Sequence, residues 1–530
     1  MKEIPLCDFQ RENDGETWAA ALEYARQHPG TTLRAAARVY HLSTPLARAT
    51  RERVLSGELG ENPEQAMFSP DFAFDRGLSL LGHRGTKILA SGAVLLIDGF
   101  MEPVSLRDSE DILLEGLTID HVRRPFSRGE VVAAREGEIV VRFGPEYPVT
   151  ASTPMPRLCL YNVPEKRLAY DEYGFTGRRY EGGGVFRFAG RGLDAFMKGW
   201  PLYAWHTFHY RPGILIEGCR RVCLRDVAIH SQPGMGIVGH RPADLLLTRL
   251  RVVPAPGEHM STNTDATHFT SCKGMLRIED SEFEGHGDDA TNVHTYYHSL
   301  IPTGERRCRL RLDSPTWTHS QTLDYPDPGD RLELVSRDSL RTRRTYRVVT
   351  AEPDFAARET SVTLDGPLPE HPERYYLADV TRLPRLEFVR CRASSHLARS
   401  VLIKTREALV EDCTFTNVVG TAIEVAAESP WKEGVTSSEV VIRGNHIRDC
   451  ARTPGTRIRG AGGICVTVDA PEPRGALHGQ VVIEGNSIDC PAAEHGICVT
   501  HALRTVIRGN TVHCREEPVV VEECGKRQAA

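Results

Sequence analysis

The chain has 530 residues, of which 40% are hydrophobic and 26% are charged, with 65 basic against 71 acidic residues and a formal net charge of −6. This composition is typical of soluble globular proteins, and the mild acidic excess without a basic stripe argues against a nucleic-acid or membrane-surface partner. The length is far above the ~150 residues of one ordinary domain, so we expect several domains or an elongated repeat.

The N-terminal segment predicts one helix, over about residues 15–27 of "NDGETWAAALEYARQHPGTTLRAAARVYHLST", and then a strand. A helix there would cover the open end of a repeat, whose strand edges otherwise invite pairing. The first residues lack the apolar core of about 7–15 residues that a signal peptide needs, and no apolar run approaches the ~20 residues that span a bilayer. We therefore predict a cytoplasmic protein, or a secreted or periplasmic one if a leader has been removed.

One phrase recurs along the chain and consists of an apolar pair, two polar residues, a small or amide residue and a further apolar residue. Its copies are "ILLEGLTI" (112–119), "VCLRDVAI" (222–229), "LRIEDSEF" (276–283), "ALVEDCTF" (408–415), "VVIRGNHI" (440–447), "VVIEGNSI" (481–488) and "TVIRGNTV" (505–512). Asn445, Asn486 and Asn510 occupy one column of this alignment. An inward Asn can hydrogen-bond turn backbone groups that would otherwise be buried without partners.

A second phrase follows each copy of the first. It reads "GMGIVGH" (234–240), "TDATHFT" (264–270), "DDATNVH" (288–294), "RSVLIKT" (399–405), "GTAIEVA" (420–426), "GGICVTV" (462–468) and "HGICVTH" (495–501). Where nothing intervenes, the period is about 22 to 24 residues. Each unit holds short β-branched strands joined by Gly, Asn and Asp turns, without a helical period or a Leu template. The repeat predicts a right-handed parallel β-helix of the pectin-lyase type, with strands of successive coils in register.

Two segments interrupt the repeat, and both alternate apolar and charged residues between turn signals, as small antiparallel sheets or barrels do. The first contains "GEVVAAREGEIVVRFG" and "GGGVFRFAGRG", and the second contains "RRCRLRLDSP", "DRLELVSR" and "TYRVVTAE". We interpret them as inserted β-barrel domains. The predicted organisation is a cap with the first coils (1–121), an inserted barrel (122–210), coils with the acidic motifs (211–298), a second inserted barrel (299–385) and the C-terminal coils (386–530).

The 14 cysteines include several at the ends of equivalent phrases, such as "VRC" (389–391), "EDC" (411–413) and "RDC" (448–450). We expect small buried thiols stacked in a core rather than disulfides. Because no pair of CxxC units occurs, the sequence does not predict a zinc site.

The phrase Asp-Ala-Thr occurs twice, in "TNTDATHF" (261–268) and "GDDATNVH" (287–294), at the spacing of one coil. Asp265 and Asp289 therefore fall in one column on neighbouring coils, about 5 Å apart at the backbone, and Asp288 stands one position earlier. A single Asp here is commonly a structural turn residue, but three close carboxylates repel, which raises at least one pKa. Hydrolysis of a glycosidic bond needs one protonated and one ionised carboxyl, so we predict that all three are catalytic.

The alternation of side chains along a strand predicts which neighbours of these carboxylates face outward. We expect a surface groove whose lining residues contact the substrate: His268, Asn292, His294, Lys404 and Glu424. Aromatic rings are further candidates, because sugars present apolar C–H faces that stack on them. These are Trp205, in "WHTFHYRP" (205–212), Tyr296, Tyr297 and Trp431, and the same segment adds His206, His209 and Arg211. Residues of this kind are more often part of core or domain-contact packing, and we name Trp205, His206 and Trp431 among the predicted substrate contacts.

The motifs "NTD" (263–265), "GDD" (287–289) and "IK" (403–404) resemble those of the polygalacturonase-type β-helix glycosidases of family 28, in which three aspartates on adjacent coils act with inversion. The fit is partial, because the "GHG" of that family follows the Asp pair at a distance, whereas "GHG" (285–287) here runs directly into it.

A closer resemblance is to glycoside hydrolase family 110, the α-1,3-galactosidases. It rests on "TNTDATHF" and "GHGDDATNVH" at this spacing, on the two insertions and on the capping N-terminus, and it spans nearly the whole chain. The resemblance implies an exo-acting, inverting hydrolase that removes terminal α-1,3-linked galactose, as in blood group B or linear Gal-α-1,3-Gal structures. It further implies that Asp288 is the general acid, while Asp265 and Asp289 hold and activate the water.

Other readings of the same residues stay open. One is a polygalacturonase-like hydrolase, and another is a β-helix lyase that uses Ca²⁺, bound by clustered Asp and Asn oxygens, with an Arg or Lys as base; both would act on an acidic polysaccharide. A third is a non-catalytic glycan-binding β-solenoid. For the galactosidase we expect no cofactor and no metal, an oligosaccharide with terminal α-galactose as partner, and neither nucleic acid nor membrane; a homodimer is left open.

Overall fold

The computed structural model describes residues 3–170, 172–312, 318–452 and 462–529. The fold is the parallel β-helix that the repeat predicts, with three strand faces around one apolar core and with antiparallel β-structure inserted between coils. Among the described residues, no helix combines the length and the apolar character needed to cross a membrane.

The first face pairs its strands in parallel from the N-terminus onward. Its strands are Glu3–Pro5, Thr32–Arg34, Lys87–Asp98, Glu110–His121, Arg220–Arg225, Ala243–Thr248, Lys273–Glu279, Arg385–Val389, Glu407–Glu411, Glu439–Arg443, His478–Glu484, Ala502–Arg508 and Lys526–Ala529.

The second face continues from the C-terminal halves of Lys87–Asp98 and Glu110–His121, so these two long strands bend around one corner of the coil. Its other strands are Val39–Ser43, Ala228–Ile229, Arg251–Val252, Glu282–Glu284, Arg392–Ser394, Thr414–Thr416, His446–Arg448, Ser487–Cys490 and Thr511–Cys514.

The third face carries the second phrase of the repeat, and therefore the doubled Asp-Ala-Thr. Its strands are Arg76–Leu81, Glu102–Arg107, Ile214–Glu217, Ile237–His240, Thr267–Thr270, the start of Thr291–Pro302, Val401–Ile403, Ile423–Val425, Gly462–Val466, His495–Thr500 and Val519–Glu522. A short strand, Glu433–Gly434, pairs antiparallel with Thr295 and Tyr296 beside this face.

Like residues stack from coil to coil inside the helix, as the repeat predicts. The side-chain amide of Asn445 donates to Asn486 Oδ1 at 2.9 Å, and that of Asn486 donates to Asn510 Oδ1 at 2.9 Å. Each of these oxygens also accepts from the backbone N–H of the preceding coil's Asn. The ladder satisfies turn groups that would otherwise be buried without partners, and buried Cys391 and Cys413 stack similarly.

The first insertion is a seven-stranded antiparallel sheet with its own apolar cluster. Its strands are Phe126–Arg135, Glu138–Phe143, Arg157–Asn162, Arg167–Ala169, Gly174–Gly182, Val185–Arg191 and Pro201–Trp205, with a 3₁₀ turn at Ala195–Met197. The strand Pro201–Trp205 lies between Phe126–Arg135 and Arg157–Asn162, pairs with both, and then leads the chain back into the coils.

The second insertion is a closed barrel of six antiparallel strands. Each strand is hydrogen-bonded to the next around the ring, in the order Thr291–Pro302, Arg307–Arg311, Glu359–Leu364, Thr342–Asp354, Arg331–Ser336 and Tyr375–Asp379, which returns to the first. A 3₁₀ turn at Pro372–Arg374 precedes the last strand. Because Thr291–Pro302 starts on the third face and ends in the barrel, it ties this insertion to the acidic motifs.

The N-terminal cap contains the predicted helix, at Asp14–Gln27, where the side chain of Asn13 accepts from the Glu16 N–H at 2.9 Å. Such a cap satisfies one of the free N–H groups of the first turn. Trp18 is fully buried and contacts Tyr40 edge-on, so the helix packs on the first coils. The other helices of this region are Pro45–Ser56, Glu64–Met67 and the 3₁₀ turn Leu6–Phe9.

Candidate active site

Three carboxyl groups meet at the start of two neighbouring strands of the third face. Thr267 pairs with Thr291 in parallel register, so Asp265 and Asp289, two residues earlier, occupy equivalent positions on successive coils. One oxygen of each of Asp265, Asp288 and Asp289 lies within 4.8 Å of the others. The side chains of Asp265 and Asp289 are buried, whereas Asp288 is partly exposed. The trio therefore reaches solvent through Asp288.

Asp289 is held as a carboxylate by Arg399. The guanidinium Nε lies 2.9 Å from Oδ1 and Nη2 lies 3.0 Å from Oδ2, and the backbone N–H of Arg399 donates to Oδ1 at 2.9 Å. Val401 pairs with Thr291, so Arg399 stands in the same column as Asp265 and Asp289. A buried bidentate pair of this kind strongly favours the ionised carboxylate.

Asp265 shares one proton with His268, and a hydrogen-bond chain fixes this arrangement. The carbonyl of Thr295 can only accept, so His294 Nδ1 donates to it at 2.9 Å, and Nε2 of the neutral His294 ring must accept. His268 Nε2, 2.8 Å away, therefore carries a hydrogen and donates. His268 Nδ1 lies 2.5 Å from Asp265 Oδ2. A hydrogen bond at this contact requires one further proton, carried by one of these two atoms.

The pKa shifts place that proton on Asp265. Burial and the neighbouring Asp289 raise the pKa of Asp265 well above its ordinary value, and burial lowers the pKa of His268 to about 4. Burial also lowers the pKa of His294 to about 3, which keeps that ring neutral. Asp265 is therefore a neutral donor to His268, and Asp289 carries the negative charge of the pair.

Asp288 differs from both neighbours in its surroundings. Burial raises the pKa of Asp288 well above its ordinary value, and so do the nearby carboxyls of Asp265 and Asp289. Among the described residues, none gives its carboxyl a hydrogen bond, while its backbone carbonyl accepts from His286 Nδ1 at 2.8 Å. His286 in turn stacks on His396 at 4.0 Å. These surroundings favour the protonated form of Asp288, which lies beside the Asp289 carboxylate paired with Arg399.

The predicted groove residues come together, but they are buried rather than exposed at the surface. His268, Asn292, Leu402 and Glu424 form one column through the paired strands, and all lie at most 4% exposed. The expectation of an open surface groove is thus corrected. The ring of His319, tilted against that of His268 with centroids 3.7 Å apart, and the loop leading to Glu433 cover these side chains.

Charged groups beside the trio neutralise one another. Lys404 forms ion pairs with both Glu428 and Glu433, and Asn292 Nδ2 donates to Glu433 at 3.2 Å. The Glu428 carboxylate also lies 3.5 Å from Arg399 Nη1. Burial raises the pKa of Glu424 to about 8, so this carboxyl is largely protonated near neutral pH. Together these groups form a buried polar cluster next to Asp265.

The aromatic candidates are placed differently from one another. Trp205 is fully buried, in an apolar cluster between the first insertion and the coils, and His206 bonds Ser127 Oγ and the Pro154 carbonyl, each at 2.7 Å. These positions are structural and do not offer a face to substrate, contrary to the sequence prediction. Trp431 is 45% exposed, in the loop just before Glu433.

The remaining candidates support the walls of the site. Tyr296 is buried, and its hydroxyl and His319 Nδ1 lie 3.1 Å apart. Tyr297 stacks on the Tyr376 ring of the barrel at 5.4 Å. His209 bonds Glu64 of the cap at 2.5 Å. Arg211 Nε donates to buried Glu102 at 2.9 Å.

Sequence reasoning missed four residues that shape this site: Arg399, His319, Glu428 and Glu433. A signal existed for Arg399, because it precedes "VLIKT" by the same offset as Asp289 precedes "TNVH". The other three lie outside the repeat phrases, Glu433 in the short strand Glu433–Gly434, and there spacing carries no information about coil neighbours.

Among the described residues, two groups of side chains have donor atoms close enough for a metal ion: the three aspartates, and His268, His294, His319 and Glu433, each set within 4.8 Å. In the first, Arg399 and His268 already bond two of the carboxyls. In the second group, His268 Nε2 and His294 Nε2 bond each other, and Lys404 neutralises Glu433. The charge that would attract a cation is thus largely compensated within the protein.

The chain is similar to α-1,3-galactosidases, as its doubled motif predicts. It is 24% identical over 446 residues to α-1,3-galactosidase B of Bacteroides fragilis, covering 74% of this chain and 70% of that protein. It is 23% identical over 478 residues to α-1,3-galactosidase B of Akkermansia muciniphila, and the aligned part covers 82% of this chain and 56% of that protein. With α-1,3-galactosidase A of Bacteroides fragilis it shares 26% identity over 286 residues, 52% and 46% of the two chains.

No family model matches the chain. Among solved structures, the A-module of a mannuronan C-5 epimerase of Azotobacter vinelandii aligns with 100% of this chain and 98% of its own, at 11% identity and a TM-score of 0.40.

Proposed function

We propose that this protein is an exo-acting, inverting glycoside hydrolase that removes terminal α-1,3-linked galactose from glycans. The observation that carries the proposal is the pairing of an ionised Asp289 with a protonated, partly exposed Asp288 on adjacent positions of one turn. Two carboxyls in opposite protonation states are the machinery of glycoside hydrolysis. The similarity to α-1,3-galactosidases supports galactose as the sugar that is released.

Each carboxyl has its own role in this mechanism. Asp288 is the general acid, because its raised pKa favours the protonated form and its side chain is partly exposed to solvent. Asp289 is the general base, since Arg399 maintains its charge without occupying every lone pair. Asp265 donates to His268 and is a positioning residue, whose Oδ1 also accepts from the Asp289 N–H at 3.2 Å.

The reaction proceeds in one displacement. Asp289 takes a proton from a water molecule as its oxygen forms a bond to the anomeric carbon from the face opposite the leaving group. The bond between that carbon and the bridging oxygen breaks, and Asp288 gives its proton to this oxygen. The products are a free galactose of inverted configuration and the shortened glycan, and the two aspartates have exchanged protonation states. Exchange of protons with solvent through Asp288 restores the starting state.

The buried polar cluster next to Asp265 lies beside the carboxyl trio. Its groups belong to His268, His294, Asn292, Lys404 and Glu433, which bond one another. The similarity to α-1,3-galactosidases supports release of a terminal galactose. The same residues argue against an acidic sugar, because the cations Lys404 and Arg399 are both compensated by carboxylates.

A hydrolysis screen tests the proposal. The substrates are blood group B trisaccharide, linear α-1,3-digalactoside and the α-1,4- and α-1,6-linked digalactosides, with release of galactose measured by a coupled assay. We expect activity on one or both α-1,3 substrates and little on the controls. Equal activity on all linkages, or a retained anomeric configuration by NMR, contradicts the proposal. Binding without any turnover would instead favour a glycan-binding solenoid.

A further inference from the structure

The peptide that joins Asp288 to Asp289 is hydrogen-bonded at both of its ends. Its carbonyl, which belongs to Asp288, accepts from His286 Nδ1 at 2.8 Å. Its N–H, which belongs to Asp289, donates to Asp265 Oδ1 at 3.2 Å. Because a peptide unit is planar, only the torsions on its two sides can turn it, and turning it moves the two aspartates relative to each other. The two hydrogen bonds therefore hold both carboxyls in one arrangement.

The ring of His286 is fully buried and neutral, and the bond to Asp288 fixes its tautomer. Burial and the neighbouring His396 lower the pKa of His286 well below its ordinary value. A carbonyl can only accept, so Nδ1 carries the hydrogen and Nε2 carries a lone pair. Among the described residues this Nε2 finds no hydrogen-bond partner, and an unpaired buried acceptor is unfavourable. Packing alone therefore does not account for a histidine at this position, whereas the bond to Asp288 does.

The ring of His396 supports the ring of His286 from the next coil. The two rings stack with centroids 4.0 Å apart. His396 Nδ1 donates to the Leu397 carbonyl at 2.7 Å, and its Nε2 lies 2.8 Å from Ser400 Oγ. Both ring nitrogens of His396 are thus bonded, and Ser400 directly follows Arg399. The stack therefore rests on the same turn that supplies the guanidinium of the site.

The turn around His286 is anchored to both neighbouring coils by its backbone. The His286 carbonyl accepts from the Leu397 N–H at 3.2 Å, and the Gly287 N–H donates to the Thr262 carbonyl at 3.0 Å. A Cβ atom on Gly287 would come within 2.2 Å of the Asn263 carbonyl oxygen, so a side chain does not fit there. None of these contacts involves the imidazole. Loss of the ring donor therefore frees one peptide and leaves the path of the turn in place.

From this arrangement we infer that His286 is a positioning residue that sets the placement of the acid Asp288 relative to the base Asp289. This inference rests on the proposed function. In an inverting hydrolase the two carboxyls act on opposite faces of one anomeric carbon, so their separation must leave room for the sugar and a water molecule. A displacement of about 1 Å at such a site can lower the rate about 10²-fold. His286 acts on this geometry through the Asp288 carbonyl.

Two substitutions at one position separate the hydrogen bond from the ring. In His286→Asn the amide Nδ2 replaces the Nδ1 donor and the stack on His396 is lost. In His286→Phe the stack is kept and the donor is lost. His495 offers a matched control, because its Nδ1 donates to the Glu517 carbonyl at 2.9 Å. It lies in the same column as Asp289, four coils further along, which is a distance of about 19 Å.

The experiment measures kcat and KM for Gal-α-1,3-Gal, after circular dichroism has shown that each variant is folded. We expect kcat of His286→Phe to fall about 10- to 100-fold, with KM within about twofold, because the catalytic geometry changes and substrate binding does not. We expect His286→Asn to retain kcat within about threefold, since it keeps the donor. The control His495→Phe should match the wild-type chain in both constants.

The outcomes separate this inference from the proposed function. A wild-type kcat in His286→Phe, or equal losses in the Phe and Asn variants, overturns the inference, because the hydrogen bond would then not be the feature that matters. If His286→Phe does not fold, His286→Leu takes its place with the same expected loss of kcat. A wild-type chain that hydrolyses neither Gal-α-1,3-Gal nor 4-nitrophenyl α-galactoside contradicts the proposed function itself, and the positioning role with it.

Discussion

The guanidinium of Arg399 bonds both carboxylate oxygens of Asp289, although the two residues are 110 positions apart in the chain. The β-helix makes them neighbours on successive coils, and the second insertion occupies the chain between them. The same geometry recurs between Arg390 and Asp280, also 110 positions apart, where Nε and Nη2 reach the two oxygens at 2.7 and 2.8 Å. That second pair lies on another part of the coil, where the Arg390 side chain is 46% exposed and the Asp280 side chain is 42% exposed.

These two pairs provide an internal control for the role of Arg399. In Arg399→Met the Asp289 carboxylate loses the two guanidinium hydrogen bonds that orient it. We expect kcat/KM for Gal-α-1,3-Gal to fall by about a hundredfold or more. Arg390→Met should leave kcat/KM unchanged, because exposed ion pairs contribute about 0–1 kcal/mol. A wild-type kcat/KM in Arg399→Met would contradict the role of Asp289 as an oriented base.

The general acid has a test that depends on the leaving group. Asp288→Asn cannot supply a proton, so kcat on Gal-α-1,3-Gal should fall about 10²- to 10⁴-fold. 2,4-Dinitrophenolate is a leaving group that departs without protonation. The same variant should therefore lose far less activity on 2,4-dinitrophenyl α-galactoside. The control is Asp280→Asn, at the exposed pair, which should behave like the wild-type chain on both substrates. An equal loss on both substrates would show that Asp288 does not act as the acid.

The sequence predicts the part of this site that lies within the repeat. Asp265 and Asp289 are one coil apart in an uninterrupted stretch, so spacing alone brings them together. Arg399 is on the coil after Asp289. The inserted barrel lies between the two residues in the chain and does not follow the repeat, so spacing does not show that they are neighbours.

Residues outside the repeat could not be placed in this way. Glu433 lies in a short strand and His319 in a turn, both outside the repeat phrases, and both meet His294 only through tertiary contacts. Trp205 is a residue that the sequence predicts at the site but that packs elsewhere. It fills the contact between the first insertion and the coils. Composition cannot distinguish such packing from a sugar platform.

Metal removal distinguishes the hydrolase from a calcium-dependent lyase. Two of the three clustered carboxyls are already bonded, Asp289 by Arg399 and Asp265 by His268, so little uncompensated charge remains for Ca²⁺. We expect galactose release to be unchanged after dialysis against EDTA. A loss of activity that Ca²⁺ restores, or an unsaturated product detected by its ultraviolet absorbance, would contradict this expectation.

Buried neutral histidines make the stability of the fold depend on pH. His478 is 1% exposed, and burial lowers its pKa from 6.5 to about 4. Between these values the unfolded chain binds a proton that the folded chain does not, so stability falls as the pH decreases. From about pH 7.5 to about pH 5 this one residue should reduce the free energy of unfolding by about 2 kcal/mol.

His478→Gln tests this dependence without breaking the local structure. The ring accepts from the Ser437 N–H at 3.0 Å through Nδ1 and donates to the Thr467 carbonyl at 2.9 Å through Nε2, and a glutamine amide can do both without titrating. Thermal unfolding followed by circular dichroism should show a smaller decrease in Tm between pH 7.5 and pH 5 for this variant than for the wild-type chain. His513→Gln, at a histidine whose side chain is 70% exposed, is the control. An equal decrease in all three proteins would mean that His478 is protonated in the folded state.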